Sequence, residues 1–224
     1  MIALLLTVVL MMQEPAALSP EARALIASVA EAIAAEEARQ AALPPPANDR
    51  ERLERMGALD QAGRMKIGEV NVAALPPDQR AAAFAAISAV IDPVDQANQQ
   101  ALLGMVPAEG WFLRSRYGDQ AASAAFHIVQ HGSEALWRRF LPVLEPLVRA
   151  GEVEGEAYAM MYDRLAVSED RPQRYGTQFV CVDSRWTLAP LEDDRRVDEW
   201  RADLEIAMPL TVYLEHMADA PPCA

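Results

Sequence analysis

The sequence predicts a mainly α-helical protein, a bundle of helical hairpins with one short β-hairpin near the C-terminus. Three observations carry that expectation. Residues are 52% hydrophobic but only 6% aromatic, with alanine abundant, and alanine favours helix more than any other residue. Through the first hundred residues, apolar positions recur at helical spacing between joints marked by proline. One stretch alone, "TQFVCV" followed by "RWTL", turns β-rich.

At the N-terminal end, Ser19 and Pro20 open a helix over 19–42 as N-cap and first helical residue. "LPPPAND" (43–49) breaks it with three prolines, a stiff spacer. A charged helix over 49–66 carries Gly57 and Gly63, which weaken it. A third starts at Pro77 and is expected to stop near Val90, with Asp92 capping a separate helix over 93–105. After Gly110-Trp111 comes an irregular stretch, then a helix from Asp119 to His131 with Gly132 at its C-terminal end. Ser133 caps the next, which ends near Gly151, and residues 155–168 form another. Asp183-Ser184 is the turn of the hairpin. Short helices over 194–205 and 209–218 close the chain. The expected organisation is an N-terminal helical region (19–105), a C-terminal helical domain with the hairpin (106–218), and a tail (219–224).

Net charge is −13 with no basic cluster, which argues against nucleic acid and anionic membrane surfaces as partners; a protein or peptide partner is compatible with it. Residues 2–12 are apolar apart from Thr7. They are too few for a transmembrane helix, which needs about 20, and fit the apolar part of a signal peptide within residues 1–18. The expectation is export to the periplasm or medium; a mis-set start codon would make the chain cytoplasmic. Cys181 and Cys223 form either a disulfide or two free thiols, in neither a zinc nor a redox spacing.

Gly110-Trp111, "VQH" ending at His131, Asp163-Arg164 and "QRYGTQ" at 173–178 occur in this order. Together they resemble a bacterial family known only as a domain of unknown function, over about residues 85–217. The tail departs from the family's pattern: Glu205 and Ala207 stand where a glycine is expected nearby. The resemblance points to positions and leaves the reaction and any cofactor unspecified.

On the 119–131 helix, Ser123, His127, Gln130 and His131 share one stripe. Three readings of them stay open. His127 and His131 have the H-x-x-x-H spacing of two zinc ligands. However, Ile128 replaces the glutamate base of the familiar peptidase motif, and the third ligand is not clear, Asp163 being the best candidate and His216 a poor one, so no residue is assigned to a metal. In the second reading His127 or His131 is the proton carrier of a small hydrolase, with Asp163 orienting the imidazole and Tyr175 supplying a phenol. Trp111, Gln130, Arg164, Gln173, Gly176, Thr177 and Gln178 would then line the ligand. In the third reading the same residues are a buried network that fixes packing, and the protein binds a peptide or partner. All three place the site where the 119–131 helix, the 155–168 helix and a strand beginning at Gln173 meet.

Overall fold

The computed structural model describes residues 18–69, 75–220 and 223; the apolar run at 2–12 lies outside them. Its helices are α1 (Pro20–Ala41), α2 (Asp49–Glu69), α3 (Pro77–Leu103), α4 (Arg114–Tyr117), α5 (Asp119–Gln130), α6 (Glu134–Arg149), α7 (Gly155–Ser168), α8 (Val197–Asp203) and α9 (Leu210–Ala218). Strands β1 (Phe179–Val182) and β2 (Arg185–Leu188) pair antiparallel, Phe179 opposite Leu188. The mainly helical class with one C-terminal hairpin is the one the sequence predicts. Among the described residues, no helix is long and apolar enough to cross a membrane.

Local chemistry explains most boundaries. The Ser19 hydroxyl accepts from the Ala22 N–H at 3.1 Å and starts α1. Asp183 and Ser184 both take positive φ, 49° and 61°, the combination that a two-residue turn needs to match strand twist. The Cys181 and Cys223 sulfurs are bonded, which ties the C-terminal tail to β1. The expected break at Asp92 is absent: α3 runs unbroken through Pro93. Proline inside a helix costs about 3 kcal/mol. Here Ile87, Ile91 and Val94 lie on one stripe and pack with Leu25, Val29 and Ile33 of α1. Burial on both sides of the proline offsets that cost.

The largest apolar cluster draws Leu53 and Met56 from α2 and Leu102 from α3 together with Trp111, Ile128, Phe140, Met161 and Ile206. The core thus runs across the expected 105/106 boundary. Gly57 makes this possible. A Cβ placed there would lie 2.5 Å from the Ala124 Cβ, so α2 and α5 touch nearly backbone to backbone. The residue that weakens α2 as an isolated helix is the one that lets it dock.

Gly57→Val is expected to destabilise the protein by about 1–3 kcal/mol through overpacking. Gly68→Ala, where an added Cβ meets nothing within 4 Å, should be neutral or stabilising by up to about 1 kcal/mol. Chemical denaturation of both variants checks the pair.

Candidate functional site

On α7, Asp163 points into the protein and is fully buried. Its Oδ1 accepts from the N–H groups of Arg174 (2.8 Å) and Tyr175 (3.0 Å). Its Oδ2 accepts from the Thr177 N–H and the Thr177 hydroxyl, both at 3.0 Å. Burial pushes the carboxyl above its usual range and these donors pull against that shift. Gln173, also fully buried, copies a strand neighbour. Its Nε2 donates to the carbonyls of Gln178 and Ala189, and its Oε1 accepts from the Gln178 N–H. From the other side, buried Arg201 donates to the Tyr175 carbonyl at 2.8 Å and to the Met208 carbonyl. Gly176 sits at φ +72°, with Leu210 2.7 Å from where its Cβ would be. Residues 173–178 are therefore not the start of a strand but a loop folded around one carboxylate, and β1 begins only at Phe179. Pro172 precedes the loop, whose conformation leaves side-chain and carboxylate groups to satisfy the backbone.

Gln130 and Arg164 meet at the end of α5, where helix carbonyls lack partners. The Gln130 carbonyl accepts from Arg164 Nη1 (3.4 Å) and Trp137 Nε1 (3.2 Å). The next residue, His131, turns Nδ1 to the Asp60 carboxylate at 3.0 and 3.1 Å. Asp60 is 2% exposed and also accepts from Arg64, which bridges on to Asp95 at 2.6 Å. The imidazole of His131 thus has a carboxylate partner, but it is Asp60 of α2. Asp163, expected in that role, has its oxygens turned to the loop.

His127 stands one turn earlier, its ring nearly parallel to that of His131 (15°) with centroids 6.1 Å apart. It lines a cleft of about 320 Å³ with Trp111, Ser123, Phe126, Val153 and Ala157. Burial, followed by the neighbouring His131, lowers its pKa, so the ring is neutral at pH 7. The cleft mouth carries Asp119, Glu152, Glu154 and Arg114. Arg114 pairs with Asp119 (2.8 Å) and with Glu154, and the Ser115 N–H bonds Glu152 at 2.9 Å. Hydrogen bonds from Ser115 hold Glu152 below the usual carboxylate range.

The residues expected at one site therefore occupy three places. Asp163, Gln173, Gly176, Thr177 and Gln178 form the loop latch. The Tyr175 ring is also buried there, edge-on to Tyr162 at 5.5 Å, and burial raises its phenol to about 12. Gln130, Arg164 and His131 close the end of α5. His127 and Trp111 face the cleft. Among the described residues, no group of three or more histidine, cysteine or acidic side chains is placed to hold a metal. Sequence reasoning missed Asp60, Arg201 and the charged mouth. Asp60 did leave a signal: it sits on the stripe Leu53–Met56–Asp60–Gly63, all buried, where a charge needs a partner.

Residues 46–222 match the model of a family of unknown function, DUF6624. The chain belongs to this family. The DUF6624 match begins upstream of the motif region and takes in α2, which supplies Asp60 and Gly57. No curated protein and no solved structure matches the chain. Membership in DUF6624 brings no reaction with it.

Asp163→Asn replaces acceptors by an amide that must present N–H to N–H, and should cost about 3 kcal/mol; Thr177→Val, losing one donor, should cost about 1 kcal/mol. Thermal or urea unfolding measures both. For His127 the folded pKa lies below the ordinary 6.5, so the folded protein holds that proton less tightly than the unfolded chain. Its contribution is therefore unchanged well above pH 6.5 and becomes unfavourable as pH falls through 6.5 toward the folded value. Unfolding free energies between about pH 7.5 and 5 should decline less steeply for His127→Gln than for the wild type; equal slopes would contradict this.

Proposed function

We propose that this DUF6624 protein is an exported binding protein that receives a peptide segment in the cleft lined by His127, with Asp163 and the Q-x-Y-G-T-Q residues acting as the scaffold's latch. One observation carries the reading. Of the four residues that the sequence marks as catalytic candidates, His127 alone lines an open cleft, while Asp163 and Tyr175 are committed to the interior and His131 to Asp60.

The cleft's size lies at the low end of ligand sites, roughly 300–1,000 Å³, enough for one side chain and its flanking backbone. Trp111, Ala122, Phe126, Val153 and Ala157 give it an apolar and partly aromatic wall, and Ser123, His127 and the charged rim supply polar groups. The Cys181–Cys223 bond supports export, since disulfides persist in oxidising compartments, as does the apolar run at 2–12.

The test uses Ser123→Trp, which places an indole over the cleft from an exposed position without touching the latch. Peptides selected from a displayed library on the wild type should lose at least tenfold in affinity for this variant. Unchanged binding, with unfolding equal to wild type, would refute the reading.

A further inference from the structure

Resting on the cleft-binding reading above, we infer that the group the cleft takes is the cationic side chain of a peptide, a primary ammonium on an apolar stem as in lysine. Trp111, Ala122, Phe126, Val153 and Ala157 make the interior of the cleft apolar and partly aromatic. Such walls suit a four-carbon stem, and aromatic rings attract a cation in preference to an anion.

The mouth selects the same sign. It holds three carboxylates (Asp119, Glu152, Glu154) against one guanidinium (Arg114), an excess of negative charge. Arg114 already pairs with Asp119 and Glu154, so an anionic ligand would have to compete with both. Glu152 takes its hydrogen bonds from Ser115 and shares the single Arg114 guanidinium with the other two carboxylates, so the rim keeps a net negative charge. His127, which also reaches the cleft, is neutral near pH 7 and does not oppose a cation. Beyond the mouth, the chain's charge of −13 raises the local concentration of basic ligands.

The experiment compares three probes on the full chain by calorimetry or NMR titration: Nα-acetyl-lysine methylamide, its uncharged counterpart Nα-acetyl-norleucine methylamide, and Nα-acetyl-glutamate methylamide. The lysine probe should bind about fivefold tighter than norleucine, as expected from a net negative charge at a largely exposed rim, and glutamate should bind weakest. In Asp119→Asn/Glu152→Gln/Glu154→Gln, whose changes are confined to the rim, the lysine preference should fall to less than about twofold. Norleucine binding as tightly as lysine, or glutamate preferred, would overturn the cation inference while leaving peptide binding in place. No binding of any probe at the wild-type cleft, together with no library peptide sensitive to Ser123→Trp, would overturn both.

Discussion

Much of the C-terminal half hangs on one buried carboxylate. Asp163 gathers the N–H groups of Arg174, Tyr175 and Thr177 and a hydroxyl, and these are groups that no helix or strand would otherwise satisfy. An unpaired buried donor costs about 1–3 kcal/mol, so without Asp163 the loop would have to open to water. The shape of the loop in turn positions the elements around it. Gln173 joins the loop to Ala189 after the hairpin. Arg201 joins it to α8 and, through the Met208 carbonyl, to the approach to α9. The hairpin itself is largely exposed, and a lone two-stranded ribbon is marginal in water. It is held at its base by this loop and at its side by the Cys181–Cys223 bond.

A second constraint joins the two halves of the chain. At Gly57 the backbones of α2 and α5 approach so closely that a methyl group does not fit. One turn on, Asp60 meets His131 and Arg64. Close packing fixes the distance between the helices, and the ionic network fixes their register, since a buried charge moved off its partner is costly. The same seam settles the orientation of the histidine pair: with His131 turned to Asp60, the stacked His127 ring is left at the cleft.

The cleft is thus the part of the conspicuous polar stripe that the fold does not use up. It lies where α4 and α5 face the segment leading into α7, lined by aromatics from the core and rimmed by surface charges. Its charged rim lies outside both the latch and the seam.

The sequence by itself determined the helical class, the ends of most of the long helices and the hairpin turn, because these rest on local chemistry: proline and serine at helix starts, the helical period, and two residues able to take positive φ. It also marked Asp163, Gln173 and the Y-G-T-Q string as belonging together. It could not decide that α3 continues through Pro93, since the compensation comes from α1, distant in sequence. Glu205 shows the same limit: it adopts φ +58° where a glycine was expected nearby, a strain that only surrounding contacts can hold. Nor could it assign partners to the histidines. Helical spacing places His127 and His131 on one face, but which carboxylate lies opposite depends on the packing of α2, and tertiary structure chose Asp60. That choice turned an apparent catalytic group into a latch, a helix seam and one histidine at an open cleft.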